Sequence, residues 1–167
     1  MARDVAIYLS TAGIHVGYAI ETVSGQKPTS FIDIQGITSI SEISSEKETI
    51  EVTPLSAEVY KEYVGALADP GGSWELGANE SNVLHKAWAA IVSEHKAGIA
   101  SNLRTWFEVW IPGFDEAFFV VGTPNELGFG GAEVSSALTT TCRITTNEVI
   151  GWDTPVAIDK TKNPGDE

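Results

Sequence analysis

A mainly β chain with one amphipathic helix packed on a sheet is the fold this sequence predicts. Three observations point to it. Short β-prone apolar runs recur along most of the chain, one central segment repeats apolar residues at helical spacing, and Glu133 to Thr145 alternates in character residue by residue. The 167 residues suit one ordinary domain, and a hydrophobic content of 43% is enough to bury a core.

Val5 to Ile20 is rich in apolar and β-prone residues broken by Gly13 and Gly17, so it reads as one or two strands with Tyr8 and Tyr18 as packing residues. Glu21 to Pro28 is polar and reads as a loop, after which Phe31, Ile32, Ile34 and Ile37 mark a short apolar segment. Ser39 to Ser45 is serine-rich, and Glu42, Glu46, Lys47, Glu48 and Glu51 surround the isoleucines Ile40, Ile43 and Ile50. Two readings stand for this stretch: an extended excursion ordered by something outside its own domain, or a mobile surface loop. Ser56 to Val64 is expected to form a short helix, with Ser56 as cap and Val59, Tyr60 and Tyr63 at helical spacing. Asp69-Pro70-Gly71-Gly72 signals a turn, and Trp74, Leu76 and Ala78 then alternate as in a half-buried strand.

The expected packed helix runs from about Glu80 to Lys96, capped by Asn79 and stopped at Gly98. Val83, Leu84, Ala87, Trp88, Ile91 and Val92 form its apolar face. Arg104 to Ile111 reads as a strand with Phe107, Val109 and Ile111 on one face and Trp106, Glu108 and Trp110 on the other. A hairpin through Pro112-Gly113-Phe114-Asp115 leads to a strand over Ala117 to Val121, and a loop with Pro124, Gly128, Gly130 and Gly131 follows. The polar stretch from Asp153 to Glu167 is expected to be loose.

Charge narrows the function. With 23 acidic and 10 basic residues the formal net charge is −13, the opposite of what gripping phosphates requires. The longest apolar runs, such as Ala117 to Val121, fall far short of a membrane span, and the acidic start does not read as a signal peptide. The single Cys142 excludes an internal disulfide and points to folding in a reducing cytoplasm.

Catalytic patterns are weak. His85 and His95 stand ten residues apart on the expected helix, which fits no HExxH site, and His15 has no patterned partner. Gly128-Phe129-Gly130-Gly131 lacks the lysine and hydroxyl of a phosphate-binding loop, and the acidic cluster at 42–51 lacks the alternating ligands and glycine of a calcium loop. Glu108 between two tryptophans admits a hydrolase, though nothing identifies a partner carboxylate. Trp106, Trp110 and Trp152 admit a carbohydrate-binding β-sandwich, because sugar faces stack on aromatic rings.

The most unusual segment is Glu133 to Thr145. Val134, Ser136, Leu138, Thr140, Cys142 and Ile144 point one way, while Glu133, Ser135, Ala137, Thr139, Thr141, Arg143 and Thr145 point the other. Such a strand would be roughly 43 Å long, against about five or six residues for a usual strand. Its second face is small and hydroxylated, which suits either the solvent side of an ordinary sandwich or the wall of a water-filled channel. Taken alone, the strand favours the sandwich.

The order of segments adds to this: an N-terminal strand pair, a long excursion, the stretch from Glu48 to Ser81, a helix, and several strands. It resembles the major tail tube proteins of long, non-contractile phage tails, the lambda-type group. Ile50-Glu51-Val52-Thr53, Leu55-Ser56, Tyr63-Val64-Gly65-Ala66-Leu67, Asp69 and Trp74-Glu75-Leu76 carry the likeness, which spans roughly Ile7 to Trp152. Tubes of contractile tails, phage-derived bacteriocins and type VI secretion share that fold, so a sheath-bearing system fits too.

The resemblance implies a β-sandwich or partial barrel with one flanking helix, assembling into hexameric rings that stack into a hollow tube. It implies a single tube domain over 1–152, with 36–51 as an inter-ring loop or hairpin and 153–167 as a flexible tail. Ile40, Glu42, Ile43, Glu46 and Glu48 would contact the next ring, and Glu133, Ser135, Thr139, Thr141, Arg143 and Thr145 would face the lumen. The implied partners are further copies of the chain, a tape-measure protein, tail-terminator or tail-tip proteins, and phage DNA passing without sequence-specific binding. No cofactor, metal, catalytic role or membrane anchor is expected, and the implied location is a virion tail assembled in the host bacterial cytoplasm.

Overall fold

The sheet is built from the β-prone runs, and its curl follows from one long bent strand. In chain order the elements are β1 (His15–Ile20), β2 (Phe31–Asp33), β3 (Ile37–Ile40), β4 (Glu46–Glu51), β5 (Tyr63–Asp69), β6 (Ser73–Asn79), α1 (Asn82–Ala100), β7 (Thr105–Trp110), β8 (Ala117–Pro124), β9 (Thr139–Asp153) and β10 (Ile158–Asp159). This is a computed structural model, and it describes residues 12–44, 46–69 and 72–165. The expectations for Val5 to Thr11, and for Pro70 and Gly71 of the turn, lie outside the described residues.

Among the described residues, eight strands form one sheet in the order β10-β2-β1-β7-β8-β9-β6-β3, and β4 and β5 pair separately as a hairpin. Of the two expected forms, sandwich and partial barrel, the sheet takes the second: a curled half-barrel with one helix. β9 spans both halves. Its first part pairs with β6 from Thr139 to Thr145, and its second pairs with β8 from Ile144 to Asp153. Two register irregularities against β8, near Asn147 and Ile150, accompany a positive φ of 88° at Gly151, and such bulges bend a strand and increase its twist.

The core lies on both faces of part of this sheet. Val16, Tyr18, Trp74, Leu76, Phe107 and Ile144 meet Leu84, Trp88 and Ile91 of α1 on one face. On the other, Ala19, Phe31, Trp106, Phe119 and Val121 form a second cluster with Val156 and Ile158. β7 is therefore buried on both sides, as Phe107 and Trp106 require.

Several elements differ from expectation. The helix starts later because Asn79 finishes β6: its N–H donates to Gly36 O at 3.1 Å, and that of Glu80 to Leu138 O at 2.9 Å. Ser81 is the cap, accepting from the Leu84 N–H at 3.1 Å. Gly98 does not stop α1 but lets it approach the sheet, since a Cβ there would lie 3.2 Å from Ile20 Cγ2. Val83, expected on the buried face, is exposed.

The helix expected over Ser56 to Val64 is not formed, and Tyr63 instead opens β5. One amphipathic turn or two needs a surface to bury against, and Val59 and Tyr60 find none. The alternating strand also shifts. Ser135 takes a positive φ of 63°, which ends extended structure upstream, while the bulges carry β9 eight residues past Thr145. Finally, the stretch after Asp153 holds β10, paired in parallel with β2 through Ile158 to Phe31 and Asp159 to Ile32, and Pro164 is buried.

Candidate functional site: a polar sheet face and an apolar arm

Antiparallel pairing of β6 with β9 sorts their side chains into two rows. Trp74 with Ile144, Leu76 with Cys142, and Ala78 with Thr140 point into the core. Ser73 with Thr145, Glu75 with Arg143, Gly77 with Thr141, and Asn79 with Thr139 point out. Alternation at period two makes this separation inevitable once the register is fixed. The outward row holds no large apolar side chain. Its one cation, Arg143, donates from Nη1 to Glu75 Oε1, so the row carries no net charge. Asn125 Nδ2 donates to Thr145 Oγ1 at 3.1 Å and Asn147 Nδ2 to Thr123 Oγ1 at 3.2 Å, extending the polar surface onto the end of β8.

That surface is continuous with the side of the sheet covered by the second core, since Thr123 stands two residues from buried Val121 on β8. One half of the sheet is thus sealed on both faces, and the other leaves a hydroxyl-rich face bare. Thr139, Thr141, Arg143 and Thr145 lie together in the row, whereas Glu133 and Ser135 sit in the irregular stretch before β9. Ser73, Glu75 and Asn79 belong to the row as well; the alternation around Trp74 carried that signal, but not which strand they would flank.

The second feature is the β4–β5 hairpin and its connecting loop. Ile50, Leu55, Val59, Tyr60, Val64 and Leu67 are all exposed, Leu55 and Leu67 almost fully, with Leu67 at 91%. A lone two-stranded hairpin is marginal in water, and such a surface calls for a cover. The expected contact residues divide between this arm and its root. Glu42 and Glu48 are exposed and Glu46 opens β4, but Ile40 and Ile43 pack inward against the core. Ser41 anchors the root by accepting from Trp74 Nε1–H at its carbonyl (2.9 Å) and from the Glu75 N–H at its Oγ (2.9 Å).

The other candidates are structural in their surroundings. Burial, and then the nearby Glu80, push the Cys142 thiol up to about 12, so little reactive thiolate forms. Burial holds His95 below its ordinary value, and its Nδ1 lies 2.7 Å from Thr105 Oγ1. His15 pairs with Asp33 at 3.2 Å and His85 with Glu80. Glu108 is wholly buried beneath the chain that follows β9. Trp106 is buried with its indole N–H on Glu21 Oε1 at 2.7 Å, while half-exposed Trp152 packs with Phe114 and Phe118, so the tryptophans form no shared platform. Among the described residues, no group of His, Cys, Asp or Glu is placed to hold a metal, and no helix is long and apolar enough to cross a membrane.

Comparison with solved structures identifies the fold class to which this architecture belongs. The chain shares its fold with components of phage-like tails. A chain of the anti-feeding prophage baseplate, solved with six-fold symmetry, superposes with a TM-score of 0.59 over 87% of this chain and 95% of its own, at 11% identity. A chain of the tube-terminating cap of the same particle gives 0.57 over 93% and 97%, at 13% identity. The tail of an empty gene transfer agent particle, refined with C6 symmetry, gives 0.55 over 89% and 100%, at 15% identity. No protein-family model matches the sequence, and no curated protein matches it.

Proposed function

We propose that this chain is a non-catalytic tube protein of a phage-type tail, stacking as hexameric rings into a hollow conduit for DNA. The observation that carries the reading is the bare polar row on a sheet otherwise sealed on both faces. A wall of Ser, Thr and Asn, with its single arginine paired to Glu75, is wetted yet offers phosphates no unpaired cation. Ser73, Glu75 and Asn79 would line the lumen with Thr139, Thr141, Arg143 and Thr145, and Glu133 and Ser135 would stand at its rim.

The apolar arm supplies the second requirement, a device that joins rings. Glu42, Glu46 and Glu48 belong to it or its root, and its exposed apolar side chains would be covered by an adjacent ring. Pairing of sheet edges between subunits would close a barrel and leave no free strand edge. A tape-measure protein would fill the tube during assembly in the host cytoplasm, and terminator and tip proteins would finish its ends. The same features suit a tube inside a sheath, and a sheath protein bound along the assembled tube would identify that variant.

Electron microscopy of the purified protein, alone and with tail partners, tests the proposal. Six-fold rings or hollow tubes are expected. A monomer that forms neither under either condition rejects it.

A further inference from the structure

After β9 the chain stays on the molecule. It crosses the second core, lays β10 along β2, and turns to the helix, where a Cβ on Gly165 would lie 2.9 Å from Ala90 Cβ. Lys27 Nζ holds the crossing by donating to Asp153 Oδ2 at 3.2 Å and Thr154 O at 2.6 Å. The Phe31 N–H donates to Ala157 O at 3.3 Å. At the centre, the Val156 N–H donates to Glu108 Oε1 at 3.0 Å.

Glu108 is an unusual residue to put there. Its side chain is fully buried among Phe31, Phe119, Val156 and Ile158, and Oε2 has no hydrogen-bond donor among the described residues. The charged groups around it are already engaged. Lys27 is bound to the crossing chain and stacked on Phe119; Glu21 pairs with Arg104 beyond Trp106; Asp33 pairs with His15 across Gly17; Lys160 lies over Trp110. A neutral carboxyl suits this site, and a carboxylate there keeps one oxygen unsatisfied in apolar surroundings.

We propose that residues 153–165 form a releasable strap whose docking on the sheet is set by the protonation state of Glu108. Burial raises that carboxyl to about 7, more than the Val156 hydrogen bond and the Lys27 charge lower it. Undocking admits water and returns the group toward its ordinary 4.5. The proton is therefore held more tightly in the docked form. Docking is strongest below pH 4.5, weakens as pH rises through about 7, and levels off at its weakest above about pH 8. Between about pH 6 and about pH 8 the docking constant falls about tenfold. Release also strips β10 from β2 and leaves Phe31–Asp33 as an open strand edge.

Hydrogen exchange on the full chain tests this. Corrected for the intrinsic rate, protection of amides 156–159 is expected to fall about tenfold between about pH 6 and about pH 8 and to stay below that of α1 throughout. In Glu108→Gln, neutral throughout, that fall disappears. Wild-type strap protection that ignores pH, or a fall that persists in Glu108→Gln, overturns the proposal. A reading without a variant comes from carbon NMR of the Glu108 carboxyl: a titration near 4.5 overturns it equally. Global opening hydrates the same carboxyl and carries the same pH dependence, so the strap has an opening of its own only where amides 156–159 are less protected than α1 at every pH; equal protection of the two overturns the proposal.

Discussion

Glu21 and Glu108 are both sealed inside the protein, and their surroundings act on them in opposite directions. Burial raises each carboxyl. At Glu21 the trend is reversed by donors from the Trp106 indole, the Gly25 N–H at 2.6 Å and the Arg104 guanidinium at 2.5 Å, which together hold it below its ordinary value. At Glu108 a single backbone donor is too little, and the carboxyl stays high. Glu21 therefore stabilises the fold above pH 4.5, and that contribution is lost as pH falls through its lower folded value. Glu21→Gln keeps the shape but not the charge, and charge-assisted bonds are worth about 1.5–3 kcal/mol each at most sites. Chemical denaturation should show the variant less stable by roughly 2 kcal/mol near neutral pH. The two proteins should converge as pH drops below 4.5. A constant gap down to strong acid would show that the ionised form contributes nothing. Nothing in the sequence around Glu21 announces this role, because its side-chain partners Arg104 and Trp106 lie 83 and 85 residues away.

Elements were legible where the local pattern and the tertiary surroundings agree. The α1 stripe from Leu84 to Val92 is buried as its spacing requires, and Phe107 and Trp106 separate onto two faces as alternation requires. The arm shows the opposite case. Val59, Tyr60 and Tyr63 have helical spacing, but a helix there would have nothing to bury against, and backbone pairing of Tyr63 with Glu51 prevails. The strand beginning at Thr139 rather than Glu133 is another such case, since local alternation does not reveal that Ser135 turns the chain. These outcomes also move the useful test of the arm. Removing Ser39 to Ser45 would delete the Ser41 anchor to Trp74 and Glu75 and so damage the body itself. Replacing residues 52–62 with Asn-Gly instead joins Glu51 to Tyr63, already cross-strand partners, through a two-residue turn. The variant should fold with an unchanged thermal midpoint, because the excised residues lie outside both core clusters. Ring stacking should fail. Normal tubes from this protein would place the inter-ring contact elsewhere.

At the scale of the whole molecule, the sheet is asymmetric in what it hides. The strap and second core cover one half of a face, and the hydroxyl-rich row is the half left open. Thr139, Thr141, Arg143 and Thr145 could be read from the sequence because a strand displays both of its faces in one string. The matching residues on β6 could be placed beside them only once the register was known. If the row lines a conduit, its slipperiness toward DNA depends on the absence of unpaired cations, and screening confines that property to charges within about 8 Å of the polymer at physiological salt. The formal charge of −13 is therefore a poor guide, whereas two residues on the row are a strong lever. Thr139→Lys with Thr141→Lys keeps the backbone and adds two cations per subunit, repeated around every ring. Val83→Lys places a cation on the exposed side of α1 as a control. Particles with the double substitution should assemble, eject DNA more slowly at low salt, and recover speed as salt rises, because each phosphate contact is weakened as counterion concentration increases. The Val83→Lys particles should eject as the wild type does. Equal, salt-independent ejection by all three would remove the row from the lumen while leaving the fold and its subunit packing untouched.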